Sequence, residues 1–152
     1  MARRVFFSFH YTRDSWRVSQ VRNSNVVQSK YDKNRFLDAV DWEKIKLQGD
    51  YAIKKWIDEQ IIGTSVTVVL IGAETASRKW VEYEIQESIK RGNGLIGIYI
   101  HNLKNQFGFT DGKGQNPISK FDSSIKVYDW INDNGRLFID DWIEEAAKKV
   151  GR

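Results

Sequence analysis

The chain has 152 residues, 24 Lys and Arg against 20 Asp and Glu for a net charge of +4, and no cysteine. The missing cysteine excludes disulfides, thiolate catalysis and Cys-ligated zinc, and two histidines, His10 and His101, leave little for a His-rich site, so no metal is expected. A hydrophobic fraction of 41%, with six Trp, six Tyr and eight Phe, describes a folded chain, read as one domain over residues 1–152. The mild positive charge is short of the dense basic stripe that nucleic acid selects, so no nucleic-acid partner is expected. No apolar run approaches the ~18 residues of a membrane span. The opening MARRVFFSF starts basic, but its apolar run breaks at His10 without a small-residue cleavage site. That argues against a signal peptide and leaves a cytoplasmic location as the expectation.

Along the chain, Val5 to Phe9 is a β-branched and aromatic run that reads as a strand buried on both faces. Thr12 or Asp14 is placed to cap a helix through Asn23, with Trp16 and Val21 turned inward. After the polar stretch Asn25 to Asn34, a short strand is expected around Arg35 to Val40. Asp50 opens a helix whose Ile53, Trp56, Ile57 and Ile61 follow the i, i+3, i+4 pattern, and Gly63 stops it. Thr64 to Ile71 is the clearest strand, followed by Thr75 as the N-cap of a helix over Ala76 to Arg91 and by a strand from Leu95 to Ile100. A loop from Asn102 to Lys120 is long for a compact domain, which predicts mobility and a place beside a site. A strand over Ile125 to Trp130 and an amphipathic helix carrying Phe138, Ile139, Trp142, Ile143, Ala146, Ala147 and Val150 complete the chain.

Strands alternating with helices predict an α/β fold, a parallel sheet of five strands flanked by helices in three layers. Ligands of such folds bind beyond the carboxyl ends of the strands, here Phe9 to Asp14, Ala39 to Glu43, Gly72 to Trp80 and His101 onward. No phosphate-loop or dinucleotide glycine fingerprint occurs there. Ser8 lies within a strand and not on a nucleophile elbow, so no Ser-His-Asp triad is indicated. His10, at a strand end, is a candidate ligand contact or a structural hydrogen-bonding group.

On a helical wheel with Trp80 at zero, Val81, Ile85, Ser88 and Ile89 centre near about 120°, Glu84 falls near about 40° and Glu82 near about 200°. The two carboxylates flank the apolar stripe on opposite edges, and periodicity alone does not choose between them. Trp80 and Glu84 share an edge and could form one wall of a pocket. Trp56, Trp130 and Trp142 occupy core-like positions. Arg78 and Lys79, in the first turn of the helix, oppose its macrodipole.

RVFFSF at 4–9 resembles the first-strand box of Toll/interleukin-1 receptor (TIR) domains, and TSVTVVLIGAETASRKWVEYEI at 64–85 resembles their third strand and following helix, with the W-x-x-x-E motif as Trp80 to Glu84. FFSFHY, DAVDWE and NGLIGIYI are similar to a flavodoxin-like TIR subfamily that includes the TIR-type sensors of bacterial Thoeris anti-phage systems. The resemblance implies cleavage of the nicotinamide–ribose bond, with NAD as substrate and no separate cofactor. It implies Glu84 as the catalytic carboxylate, which breaks the tie with Glu82. Phe9, His10, Tyr11, Asp41, Trp42 and Trp80 are the substrate-binding candidates, Asp41 and Trp42 by position only. The usual second box, Arg-Asp-x-x-Pro-Gly, is replaced here by AVDWEKIKLQGD, and the first box ends in Phe-His where tyrosine is common. The partners implied are a phage-derived trigger, an effector reached through a diffusible, cyclic ADP-ribose-derived signal, and further copies of the same chain. Two other readings stand beside it: a non-catalytic TIR-like adaptor working by self-association or partner binding, and a nucleoside deoxyribosyltransferase-like enzyme.

Overall fold

The computed structural model describes residues 3–24 and 39–152. Its elements in order are β1 (Val5–Ser8), α1 (Ser15–Arg22), α2 (Ala39–Lys46), α3 (Asp50–Ile61), β2 (Val66–Ile71), a 3-10 turn (Thr75–Ser77), α4 (Lys79–Lys90), β3 (Gly94–Tyr99), β4 (Val127–Asp129) and α5 (Gly135–Lys149). The strands pair in the order β1-β2-β3-β4, every pair parallel. The described residues therefore form four strands where five were expected. Of the strand expected around Arg35 to Val40, residues 35–38 lie outside the described residues, while Ala39 and Val40 open helix α2. A six-residue apolar alternation is too short to separate strand from helix.

Side chains of a strand alternate between faces, and the register sorts them cleanly. Val5 and Phe7 of β1 align with Val66 and Val68 of β2, which align with Gly94 and Ile96 of β3. Together with Leu70, Ile98 and Ile100 they form an apolar face in one cluster with Val18 and Val21 of α1 and Ile139, Trp142, Ile143, Ala146 and Ala147 of α5. Tyr128, beside Ile98, stacks flat on Trp142 with centroids 4.0 Å apart. The opposite face carries Phe6, Ser8, Thr67, Val69, Ile71, Leu95 and Gly97. There Val69, Ile71 and Leu95 pack with Val81 and Ile85 of α4 and with Ile118 from the long loop. Among the described residues no helix is long and apolar enough to cross a membrane.

Several local expectations change for physical reasons. Trp16 is 53% exposed while Val21 is buried; five residues apart on a helix, the two cannot share one face. Phe138 and Val150 also stay largely exposed. Thr75 does not cap α4. Its hydroxyl accepts the Gly72 N–H at 2.8 Å, which closes a tight turn at the exit of β2, and α4 starts four residues later behind an extended Arg78.

The Asn102–Lys120 loop is tied down. Arg17, itself buried, donates to the carbonyls of Leu103 (2.8 Å) and Phe109 (3.0 Å), and Arg13 pairs with Asp111 at 2.7 Å. Gly114 lies so close to Gly72 that a Cβ on it would stand 2.2 Å from the Gly72 carbonyl oxygen, and Ile118 is fully buried. The loop thus closes over the carboxyl end of β2, where it was expected to border a site.

Candidate active site

Glu84 sits one turn into α4, on the side facing the sheet, and has no solvent exposure at all. Its Oε1 accepts the Ser8 hydroxyl at 2.8 Å and its Oε2 accepts the Tyr11 hydroxyl at 2.6 Å. Burial pushes the carboxyl up to about 8, although the two donated hydrogen bonds pull the other way. Tyr11 is shifted well upward as well, by burial first and then by the carboxylate beside it. Burial favours the neutral form of this acid, the two hydroxyl donors favour the ionised form, and no cation is among the groups that shift it.

The reason it can be buried lies in the sheet. The face under α4 presents Ser8 and Thr67 among its apolar residues. Thr67 shares a hydrogen bond with Ser88 at 2.7 Å, Ser88 donates to the Glu84 carbonyl at 2.7 Å, and Asn93 donates to Thr64 (3.0 Å) and Thr67 (3.3 Å). This polar seam draws the buried side of α4 toward Glu84. Val81, Glu84, Ile85 and Ser88 are buried, giving a stripe centred at about 90° on the wheel, while Ile89 is 43% exposed. Glu82 lies at the solvent edge and pairs with Lys120. The two carboxylates that periodicity placed on opposite edges thus have different surroundings, Glu84 buried against a strand hydroxyl and Glu82 at the surface.

Around Glu84 the structure gathers some of the candidates named above. Tyr11 is buried with its ring 4.6 Å from Phe9 edge-on, 4.6 Å from Trp42 in a tilted stack and 6.3 Å from Trp56 edge-on. Trp42 reaches this cluster from α2 and is 3% exposed. Asp41 precedes it in the same helix, and its side chain lies outside the described part of the chain. Trp80, half-buried, meets Tyr83 edge-on at 5.9 Å and lies under the Lys79 ammonium at 4.7 Å. Tyr83 in turn donates to Asp58 at 2.8 Å. His10 is turned into its own loop, where Nδ1 accepts the Arg13 N–H at 3.2 Å. Burial, then the Arg78 charge, lower its basicity.

Sequence reasoning passed over Ser8. The usable signal was a lone hydroxyl inside an otherwise apolar buried strand, since a polar group there requires a partner. Asp14, expected as a candidate cap, stands at the N-terminus of α1 but is fully buried and makes no side-chain cap bond. The Asp14 carboxylate rests on the Cα of Gly72 and stands 3.8 Å from Arg17, and burial raises it to about 6. Among the described residues no cluster of His, Asp and Glu could hold a metal ion.

A family model matches the stretch of chain that carries most of this sheet and the site. The model of the Thoeris protein ThsB, TIR-like domain, matches residues 6–105. The chain belongs to this TIR-like ThsB family. A protein of Bacillus cereus (strain MSX-D12) named "Putative cyclic ADP-D-ribose synthase ThsB1" is 41% identical over 143 residues, which is 93% of this chain and 72% of that relative. The span matched by the ThsB model contains Ser8, Tyr11, Trp42, Trp80 and Glu84 and stops before β4 and α5.

Proposed function

We propose that this ThsB-family chain breaks the nicotinamide–ribose bond of NAD at Glu84 and forms a cyclic ADP-ribose-derived signal in anti-phage defence. The observation that carries the reading is the carboxylate at the W-x-x-x-E position, buried against β1 with each oxygen on a hydroxyl donor. The name of the B. cereus relative supports the same chemistry.

The chemistry asks little of the protein. Nicotinamide in NAD is already a cationic leaving group, and when the glycosidic C–N bond breaks its electron pair returns to the ring nitrogen. The positive charge then moves to the ribose C1 and ring oxygen. A carboxylate placed against the ribose stabilises that developing charge, and a water-poor, aromatic surround strengthens the effect. Glu84 fills the first role, and Phe9, Trp42 and Trp80 supply aromatic surface for the second. Burial favours the neutral form of Glu84 when the site is closed. The cationic nicotinamide beside it favours the ionised form, so the substrate itself brings the carboxylate into its working state. Capture of C1 by a nucleophilic atom of the same molecule, with loss of one proton, gives a cyclic isomer; capture by water gives ADP-ribose.

A phage component triggers turnover in this scheme, and the product diffuses to a separate effector. The test is mass spectrometry of small molecules from infected cells carrying the wild-type chain or Glu84→Gln. A molecule with the mass of cyclic ADP-ribose is expected in the first and not in the second. Equal amounts in both would contradict the assignment.

A further inference from the structure

A closed site raises the question of how any substrate reaches it. Glu84 has no exposed surface and both of its oxygens are taken, so contact with a ribose hydroxyl requires one donor to leave. Ser8 is the last residue of β1, paired with Val69, and its hydroxyl is fixed by the parallel ladder. Tyr11 is different. It lies beyond the strand in a turn, and its ring is held by Phe9, Trp42 and Trp56 through edge and stacking contacts.

A tyrosine in this place presents a flat ring against an indole and a hydroxyl to a carboxylate. A nucleoside offers the same two features, a stackable base and a ribose hydroxyl. We propose that Tyr11 is a built-in occupant of the substrate's place: its hydroxyl holds the Oε2 position that a ribose hydroxyl takes in the complex, its ring covers Trp42, and turnover begins when it swings out. The proposal rests on the reading that Glu84 meets the ribose.

The fold supplies a means of release. Trp42 holds the ring from α2, and from Trp42 to Lys46 that helix buries Trp42 and half-buries Ile45, while Glu43, Lys44 and Lys46 are exposed. A helix whose described side chains, from Trp42 to Lys46, are mostly exposed opens more readily than the buried sheet. A partner or ligand that shifts α2 removes one wall of the Tyr11 cage and frees Glu84 without disturbing Ser8.

The test is labelling of the folded, untriggered protein with a water-soluble carbodiimide and glycine ethyl ester, read residue by residue by fragmentation mass spectrometry. Glu82 and Glu87 on the same helix serve as internal controls. Wild type should label at Glu82 and stay protected at Glu84. Tyr11→Ala should raise Glu84 labelling by at least about tenfold with the controls unchanged, and Trp42→Leu, which keeps the phenol but loosens its cage, should raise it by less. Nicotinamide release from NAD without any trigger should rise in Tyr11→Ala. Glu84 labelling that stays at the wild-type level in either variant while that variant is folded by circular dichroism would overturn the gate. So would exposure of Glu84 accompanied by loss of triggered activity in Tyr11→Ala, since that makes the phenol part of the working site. Exposure of Glu84 with no nicotinamide released by any form, triggered wild type included, keeps the gate and removes the NAD reading instead.

Discussion

The two faces of the sheet solve the same packing problem in opposite ways. Toward α1 and α5 the surface is apolar throughout, with Val5, Phe7, Val66, Val68, Leu70, Ile96 and Ile98 meeting Val18, Val21, Ile139 and Ile143. Toward α4 the same strands carry Ser8 and Thr67, and the helix answers with Glu84 and Ser88, all four fully buried. The first face gains its stability from area removed from water. The second accepts a buried acid and a chain of hydroxyls, where each group is tolerable only while its partner is present. The apolar face therefore holds the fold together, and the polar face holds a buried acid within it.

Substitutions can break this contrast. The largest stability effect belongs on the apolar face. Ile98→Ala, at a site with no exposure in the central pairing of the sheet, should lower unfolding free energy by about 3–4 kcal/mol in chemical denaturation. The polar face should respond with the opposite sign at its centre. Because the Glu84 carboxyl is raised in the fold, the native state holds its proton more tightly than the unfolded chain. Its contribution is fully present below the unfolded value of 4.5 and is lost as pH rises toward about 8. Glu84→Gln, which cannot ionise, should therefore match wild type near pH 4.5 and exceed it by roughly 1–3 kcal/mol near pH 8. A variant less stable than wild type across that range would mean that the carboxylate is a structural asset and the contrast between faces is misdrawn. Thr67→Val has the smallest effect, a loss of about 1–2 kcal/mol from Ser88 and Asn93 each losing a partner. An unchanged midpoint there would show that the seam is not needed to hold α4.

Much of this was legible in the sequence, for reasons that individual residues make clear. The runs VFFS and VTVVLI read as buried strands because no polar residue interrupts them at a period other than two, and the W-x-x-x-E helix was recognisable by motif. The choice between Glu82 and Glu84 was not available from periodicity, which registers apolar positions and is blind to a hydroxyl on the neighbouring strand. Ser8, 76 residues away in sequence, partners the buried Glu84, and only the register of β1 against β2 and the seating of α4 bring it there. Thr75 looked like a cap because its type is right, but its hydroxyl is spent on Gly72. The loop after β3 looked loose because it is long and glycine-containing. Gly114 instead allows a close approach to Gly72, and Arg17 fastens the loop.

The account turns on Glu84 as the group that stabilises charge on the ribose, and the most direct test is nicotinamide release from NAD under triggered conditions. Wild type, Glu84→Gln and Glu82→Gln would be compared, each shown to be folded by its melting temperature. Glu84→Gln should lose about 100- to 1,000-fold in rate, the usual cost of removing one preorganised electrostatic group, while Glu82→Gln, at the solvent edge with Lys120, stays near wild type. Near-normal release by Glu84→Gln, with or without a loss in Glu82→Gln, would contradict the assignment.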